Sequence, residues 1–362
     1  MVPAALSALA QTSDNSSPGA KWETVVPESV GYSSDRLNAL KEWLKTENTT
    51  AMVVAVHGKM IFQYGDLSRV SVVASVRKSI LSMLYGNYAF NGKIDLQKTV
   101  KQIGLDDKQP FLPIEERATL EQILAGRSDI FIVPDNPSPS SSDSFQPRRG
   151  SALPGTFFTY NEWDFNAAGT AFEKLTGRNI YDALETDLAR PVGMEDFERS
   201  RQVKAESPSS VHQGYPMFLS TRDMARLGQL MLRQGDWNGK QVISGDWVRY
   251  STLLWTPFQE MYPPELRNYS EPGRWGFGLM WWVWDEPPYL NHNWTGAMQG
   301  AFMAAGAGGQ YIAVFPQADL VIAHKVDLDH NPHRGEITPL QWEALVDMVL
   351  ASNCEGNCPI AK

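Results

Sequence analysis

The feature that most constrains this chain is the tetrapeptide Ser75-Val76-Arg77-Lys78, which opens an apolar segment with helical periodicity. The apolar residues that follow at helical spacing are Ile80, Leu81, Leu84, Tyr85, Tyr88 and Ala89. The pair Asn91-Gly92 then ends the pattern, as is usual at the C-terminus of a helix. The sequence therefore predicts a helix that carries Ser75 in its first turn.

A serine and a lysine three residues apart lie on one face of a helix, with Cβ atoms ~5–6 Å apart. A hydroxyl group is a poor nucleophile unless a neighbour takes its proton, and an amine can do so when burial or nearby charge lowers its pKa from ~10.4. The free N–H groups of the first helical turn also favour developing negative charge. Ser75 and Lys78 are therefore a candidate nucleophile and base, although a capping serine beside a solvated lysine would give the same tetrapeptide.

A second candidate residue, Tyr160, follows a turn at Pro154-Gly155 and precedes another segment with helical periodicity, which ends at Gly177. A tyrosine near a lysine can act as a general base, because a neighbouring cation lowers the pKa of a phenol. A tyrosine at the junction of a loop and a helix is also a common core residue, so the sequence leaves both interpretations open.

A glycine-rich stretch, Gly306-Ala307-Gly308-Gly309-Gln310, leads into two strand-like segments joined by a turn at Pro316–Asp319. This pattern predicts a hairpin, as does the segment over residues 52–62. Glycines at the start of a strand let another backbone or a ligand approach closely, and a strand N–H could form half of an oxyanion hole. The same pattern also suits a glycine-rich entry to an edge strand.

Composition and charge exclude several classes of partner. The chain has 362 residues, enough for one or two domains with a large core, and a net charge of −9. It contains no basic block, which argues against a nucleic acid or an anionic membrane as the partner. No apolar run reaches the ~20 residues that a membrane-spanning helix needs.

The first residues of the chain bear on its localisation. Residues 1–10 are apolar and end in Ala8-Leu9-Ala10, which is similar to the end of a secretory signal, but no basic residue precedes them. We expect a periplasmic or secreted protein, with a disordered apolar start of a cytoplasmic protein as the alternative. In an exported protein Cys354 and Cys358 would form a small disulfide, and otherwise they would be free thiols.

Three histidines, His324, His330 and His333, lie near Asp327 and Asp329. This cluster could bind a metal, but we interpret its members as polar loop residues. No further Cys or His pair stands at the spacing of a zinc site. We therefore expect neither a metal nor another cofactor.

Taken together and in this order, the three regions resemble the motifs of the serine β-lactamase and penicillin-binding-protein superfamily. Within it the chain looks like the class C-type branch, which includes esterases, D-alanyl-D-alanine carboxypeptidases and 6-aminohexanoate-dimer hydrolases. The further segments that fit this branch are Gly92–Leu96, Ala118–Leu124, Ser220–Gly228 and Gly276–Trp282. The resemblance extends from about residue 24 to residue 350, and its specificity lies in the order of many short matches.

The resemblance implies a role for each matching residue. Ser75 would be the nucleophile that becomes acylated, and Lys78 would be its partner in proton transfer. Tyr160 would pass the proton to the leaving group. Gln310 would lend its backbone N–H to the oxyanion hole together with that of Ser75. The third motif, which would line the substrate site, is Ala307-Gly308-Gly309.

The chain departs from the family pattern at two motifs. The second motif is usually Tyr-x-Asn, whereas Tyr160-Asn161-Glu162 has a glutamate at the Asn position. A carboxylate near Lys78 would keep its ammonium charged; alternatively Glu162 is neutral, or is turned away with Asn161 in its place. The third motif lacks the cation of Lys-Thr-Gly or His-Thr-Gly, which helps to hold a substrate carboxylate. This absence argues against cephalosporins and D-alanyl-D-alanine peptides as substrates.

The resemblance implies an α/β fold of the α+β sandwich type, the β-lactamase/transpeptidase-like fold. An antiparallel sheet would take strands from residues near 50–66 and 275–326, and its flanking helices would include residues 33–47 and 337–351. We expect one catalytic domain over residues 22–351. Its predicted parts are an α/β lobe (22–75 and 271–351) and a mostly helical lobe (76–270), between a flexible start (1–21) and a tail (352–362).

By this resemblance the chain would be a serine hydrolase that forms an acyl-enzyme with a small ester or amide. Two alternatives stay open: a true β-lactamase or D-alanyl-D-alanine carboxypeptidase, and a catalytically weak member that binds a ligand. The sequence contains no Gly-x-Ser-x-Gly, so it gives no support to an α/β-hydrolase mechanism.

Overall fold

A seven-stranded antiparallel sheet organises the computed structural model, which describes residues 17–134, 147–206, 208–262, 274–285, 295–330 and 335–354. The strands, in chain order, are β1 (Ala51–Val56), β2 (Lys59–Gly65), β3 (Ser71–Val72), β4 (Phe218–Leu219), β5 (Asp236–Trp237), β6 (Lys240–Gln241), β7 (Trp275–Phe277), β8 (Trp282–Trp284), β9 (Phe302–Gly306), β10 (Gln310–Phe315) and β11 (Leu320–Lys325). The large sheet has the order β2-β1-β11-β10-β9-β8-β7, while β3–β4 and β5–β6 form two-stranded sheets. The first strand of the chain therefore pairs with its last strand, and β2 lies beyond β1 at the edge of the sheet.

Strand β1 is buried along its whole length. It pairs with β11 in a register that runs from Ala51↔Lys325 to Val56↔Leu320. Because successive side chains point to opposite faces of a sheet, Val54 faces one core and Val53 faces the other. Burial on both faces explains why β1 is a continuous apolar run rather than an alternating one.

Helices cover both faces of the sheet. In chain order they are α1 (Ser34–Leu44), α2 (Val76–Tyr85), α3 (Val100–Ile103), α4 (Leu120–Leu124), α5 (Glu162–Thr176), α6 (Ile180–Ala183), α7 (Arg190–Val192), α8 (Thr221–Leu232), α9 (Gly245–Ser251), α10 (Thr295–Met298) and α11 (Pro339–Ala351). Helices α1 and α11 pack on one face, and α8 packs across β10 and β11 on the other. A Cβ on Gly228 of α8 would lie 2.5 Å from Val321 Cγ1, so the close approach of α8 to the sheet requires glycine there.

The predicted fold class is confirmed. Strands from both ends of the chain form the antiparallel sheet, helices flank it, and the elements between β2 and β7 are mostly helical. The two predicted hairpins are the β1–β2 and β10–β11 pairs, and the predicted helix after Tyr160 is α5, which ends at Gly177. No helix in the described ranges is both long and apolar enough to cross a membrane.

Helix α2 ends at Tyr85, earlier than the Asn91-Gly92 pair that the sequence pattern indicates. The indole of Trp247 donates to the carbonyl of Ser82 at 2.7 Å and competes there with the N–H that would continue the helix. The Gly86 N–H turns to the carbonyl three residues before it, at 3.1 Å. Packing against α9 therefore ends α2 before the Asn91-Gly92 pair.

Several sequence predictions concern residues that the structure does not describe. These are the signal-like residues 1–10, most of the lead-in at 11–21, His333, and Cys358 with most of the C-terminal tail. Of the cysteine pair, Cys354 is described and is disulfide-bonded rather than a free thiol.

Candidate active site

Ser75 lies at the point where a short strand turns into a buried helix. Strand β3 ends at Val72, the Val73 N–H bonds to the Met217 carbonyl at 2.9 Å, and Ser75 is the N-cap residue of α2. Between them Ala74 has a φ of +46°, a left-handed conformation that costs an L-residue ~1–2 kcal/mol. In the described part of the chain, no backbone carbonyl accepts the Ser75 N–H. The turn therefore presents both the hydroxyl and a free amide of Ser75.

The amine of Lys78 contacts three oxygens. Its Nζ lies 3.0 Å from Ser75 Oγ, 2.8 Å from Tyr160 Oη and 2.5 Å from Glu162 Oε1. The ammonium group has three N–H donors, so each contact uses one of them. The side chain is 2% exposed, and its Nζ lies 4.3 Å from the centre of the Tyr160 ring and 4.6 Å from that of Phe165. The structure thus brings the three predicted residues of the reaction into one hydrogen-bonded group.

The second motif places its glutamate, and not its asparagine, at Lys78. Asn161 is the N-cap of α5, and its Oδ1 accepts the Asp164 N–H at 2.9 Å. Glu162, in the first turn of α5, points its carboxylate at Lys78. Burial alone would raise the pKa of Glu162, but the charges of Lys78 and Arg77 outweigh burial and lower it. Glu162 is therefore ionised and faces Lys78, which favours the first of the three alternatives drawn from the sequence.

Arg77 is a member of this group that the sequence analysis did not single out. Its Nη2 donates to Glu162 Oε2 at 2.8 Å and to Asn166 Oδ1 at 2.9 Å. Its guanidinium carbon lies 4.1 Å from the centre of the Tyr215 ring. The signal for it was present, because an arginine inside an apolar helical pattern needs a buried partner of opposite charge.

The glycine-rich stretch approaches Ser75 through its first residue, Gly306. A Cβ on Gly306 would lie 3.0 Å from the Ser75 amide nitrogen and 2.6 Å from the Val73 carbonyl oxygen. Gly306, at the end of β9, therefore allows the strand to lie directly against the nucleophile turn. Ala307 follows it at the exposed tip of the hairpin, and Gln310 stands opposite Gly306 at the start of β10.

Gly308 and Gly309, which follow in the same stretch, face the opposite side of the sheet. A Cβ on Gly308 would meet Leu328, and one on Gly309 would meet Ile337 and Val326. Gln310 pairs with Gly306, so its buried side chain leaves the strand on the Gly306 face, and its Nε2 donates to the Val326 carbonyl at 2.7 Å. Gly308 and Gly309 are thus packed on the side of the sheet away from Ser75, while Gly306 faces Ser75.

His324 secures this turn from the same side. Its Nδ1 lies 2.7 Å from the Gly309 carbonyl oxygen and its Nε2 lies 2.9 Å from Thr49 Oγ1. Burial lowers the pKa of His324 to about 4, so the imidazole is neutral at neutral pH. The interpretation of His324 as a loop residue is wrong: it lies in β11 and is fully buried, because the strand continues beyond the apolar run that marks it in the sequence.

The histidine cluster does not form a metal-ligand group in the described residues. His330 Nδ1 lies 2.9 Å from Asp327 Oδ2, a pairing between neighbours in sequence. Asp329 Oδ2 instead accepts the Val72 N–H at 2.6 Å. Each of these side chains thus has a local partner within the protein.

Aromatic residues of β7 and β8 lie beside Tyr160. The Trp282 ring centre is 5.6 Å from that of Tyr160 and 5.4 Å from that of Phe277. Trp281 is fully buried, whereas Trp282 remains partly exposed. The Tyr160 ring is therefore packed against uncharged aromatic side chains, of which Trp282 is partly exposed.

Comparisons with solved structures show the fold. The chain is similar to a candidate 6-aminohexanoate-dimer hydrolase from Bacillus anthracis, with 19% identity, a TM-score of 0.64, and coverage of 95% of this chain and 90% of that one. It is similar to a family VIII carboxylesterase, with 13% identity, a TM-score of 0.63, and coverage of 93% and 99%. A penicillin-binding-protein homologue from Caulobacter crescentus has 16% identity, a TM-score of 0.60, and coverage of 89% and 99%.

Comparison of the sequence gives the family. An uncharacterized protein of Alkalihalophilus pseudofirmus is 27% identical over 107 residues, which are 29% of this chain and 28% of that protein. The matched region thus spans less than a third of that curated relative. The family model named Beta-lactamase matches residues 46–345, most of the chain and all of the candidate site. The resemblance drawn from the motifs is confirmed, and the chain belongs to the beta-lactamase family.

Proposed function

We propose that this protein is a serine hydrolase that cleaves a small ester or amide through an acyl-enzyme. The observation that carries the proposal is the position of Lys78 Nζ, within hydrogen-bonding distance of both Ser75 Oγ and Tyr160 Oη. Family membership supports the same chemistry. In this proposal Ser75 Oγ bonds to the substrate carbonyl carbon, the leaving group departs, and water later releases the acid.

The proton of Ser75 needs an acceptor and the leaving group needs a donor. Lys78 accepts the Ser75 proton in molecules whose amine is neutral, because an ammonium has no lone pair to offer. Tyr160, which touches the same nitrogen, passes a proton to the leaving oxygen or nitrogen. One hydrogen-bonded group thus serves both steps without an external acid or base.

The oxyanion needs two N–H donors near the attacked carbonyl. We propose the Ser75 amide as one of them, since it has no backbone acceptor in the described residues. For the other we propose an amide at the Gly306–Ala307 end of β9, because Gly306 lies against Ser75. Gln310, whose backbone N–H the resemblance implied, stands opposite Gly306 at the start of β10 and is the alternative donor.

An uncharged ester or amide fits the site better than a carboxylate-bearing lactam or peptide. Residues 302–309 carry no charged side chain, and the wall beside Tyr160 is formed by Trp282 and Phe277. A β-lactamase or D-alanyl-D-alanine carboxypeptidase would need a cation in the third motif to hold the substrate carboxylate. A ligand-binding member is the remaining alternative, and the ion pair of Lys78 with Glu162 is the observation that favours it.

The organisation and location of the protein are also proposals. We propose one catalytic domain over residues 22–351, because strands from both ends of that range share a sheet. We propose export to the periplasm or the medium on the signal-like pattern of residues 1–10 alone.

The test is turnover of a short-chain p-nitrophenyl ester by wild type, Ser75→Ala and Ser82→Ala. Ser82 is a buried serine of the same helix, so its variant controls for the loss of a hydroxyl from α2. We expect Ser75→Ala to lose at least ~10³-fold in kcat/KM and Ser82→Ala to stay near the wild-type rate. Mass spectrometry of wild type with a slow ester should show the acyl group on Ser75. Equal turnover by Ser75→Ala and wild type would refute the assigned nucleophile.

A further inference from the structure

Three buried charges meet beside the nucleophile. Arg77 and Lys78 follow Ser75 on α2, and the Glu162 carboxylate lies between them. One carboxylate oxygen accepts from Lys78 Nζ at 2.5 Å and the other accepts from Arg77 Nη2 at 2.8 Å. The carboxylate is therefore shared between Lys78, the proposed base, which must lose a proton to act, and Arg77, which stays protonated.

This sharing resolves a conflict in the second motif. A carboxylate held by Lys78 alone would favour its ammonium form and oppose its use as a base. The second cation draws on the same negative charge and also repels the charge on Lys78. Both effects make the neutral amine easier to reach than it would be beside an isolated glutamate.

We propose that Arg77 is a positioning residue that sets the protonation of Lys78 through Glu162. The inference rests on the proposed function, because it concerns the base of that reaction. In this proposal Glu162 controls the pH dependence of acylation. Arg77 keeps the midpoint of the pH profile lower than it would be beside an unpaired glutamate.

Several further groups face this cluster and leave the charge balance to these three residues. Asn166 of α5 is neutral and accepts from Arg77. The phenols of Tyr215 and Tyr181 lie near the guanidinium, and burial raises the pKa of both well above the usual range, so they stay neutral. Tyr160 is the remaining titratable group, and it touches Lys78 directly.

The geometry of Arg77 also fixes where the carboxylate points. Its guanidinium is held by Asn166 and by the face of the Tyr215 ring, so it has little freedom to follow Glu162. Removing the guanidinium would leave Glu162 with Lys78 as its only ionic partner among the described residues. The carboxylate would then bind the ammonium more strongly.

The test is the pH profile of kcat/KM for a short-chain p-nitrophenyl ester in wild type, Arg77→Gln, Glu162→Gln and the double variant. Ser75→Ala supplies the background at every pH. We expect the midpoint of the rising alkaline limb to move up by about one pH unit or more in Arg77→Gln and down by a similar amount in Glu162→Gln. In the Glu162→Gln background the Arg77 substitution should cause a smaller upward shift, because the carboxylate through which it acts is gone.

A purely structural role for Arg77 would lower the rate at every pH and leave the midpoint in place, and that result would overturn the inference. If Arg77→Gln does not fold, Arg77→Lys takes its place in the test. It keeps the positive charge, so the midpoint of its pH profile should lie near that of wild type. The downward shift of Glu162→Gln must still appear, and its absence would also overturn the inference. Failure of the proposed function would look different, because turnover would then survive in Ser75→Ala.

Discussion

Among the residues that the structure describes, two lysines are buried, and they differ in the number and charge of their partners. Lys78 gives three N–H groups to a serine, a tyrosine and a carboxylate. Lys325, at the end of β11, gives two N–H groups to the carbonyls of Ser71 and Leu219, at 2.8 and 2.5 Å. Lys78 thus has a charged partner among its contacts, whereas Lys325 has neutral carbonyl partners.

The contrast shows that burial alone does not decide what a lysine can do. Desolvation lowers the pKa of Lys325 to about 7, because the nearby carboxylates of Asp329 and Asp327 compensate burial only in part. Lys78 has a carboxylate in direct contact, and it is the residue for which we propose the proton-transfer role. The easily deprotonated lysine fastens β3 and β4 to the sheet, whereas the lysine at the nucleophile is held by an ion pair.

The largest effect that we predict for the two lysines is on turnover. Lys78→Met should lower kcat/KM by ~10²–10⁴-fold, because it removes the base beside Ser75. Lys325→Met should keep a rate near that of wild type in the folded fraction, because its amine touches only backbone carbonyls of β3 and β4. The measurement is ester turnover normalised to folded protein. Comparable losses in both variants would contradict the division of roles.

The next effect is on stability and its pH dependence. The pKa of Lys325 falls from 10.5 to about 7 on folding, so between these values the unfolded chain binds a proton that the folded chain does not. The free energy of unfolding should therefore rise with pH across this window, with a slope approaching ~1.4 kcal/mol per pH unit. This gain in stability should be lost as the pH falls to 7. Urea unfolding of wild type and Lys325→Met at pH 7, 8 and 9 measures it. A difference in unfolding free energy that stays constant with pH would contradict this prediction.

The smallest effect sharpens the description of the Lys78 site. Asn161 caps α5 and thereby holds the turn that presents Glu162, so Asn161→Ala should cost ~1 kcal/mol of stability and also lower turnover. Thr338→Ala removes the cap of α11, which packs in the core on the other face of the sheet from α2, and should cost about the same stability with no loss of turnover. Urea midpoints and ester turnover of the two variants separate the effects. Equal turnover in both would mean that the cap of α5 does not influence Glu162.

The sequence predicted those parts of the site that depend on local spacing. Ser75 and Lys78 are three residues apart on a helix, so their contact follows from helical geometry. The contact of Lys78 with Tyr160 joins residues 82 positions apart, and only the family resemblance linked them. The two hairpins and α5 could be predicted because their periodicity and turn residues agree.

Other parts of the site depended on side-chain direction, which sequence patterns do not specify. In the second motif Asn161 and Glu162 are adjacent, and the turn into α5 decides which of them reaches Lys78. In the glycine-rich stretch a shift of one residue along a strand reverses the face, so the sequence did not show that Gly306, rather than Gly309, lies on the Ser75 side. Arg77 was missed because its partner is far away in the chain.

The order of strands in the sheet also bears on when the proposed reaction could first take place during synthesis. Ser75, Lys78, Tyr160 and Glu162 all precede β9, which lies against the nucleophile and pairs with β10. At a synthesis rate of ~5–20 residues per second, β9 leaves the ribosome ~10–45 s after Ser75. A nascent chain that ends before β9 should carry every side chain of the reaction and still fail to acylate, so activity begins only when the last strands join the sheet.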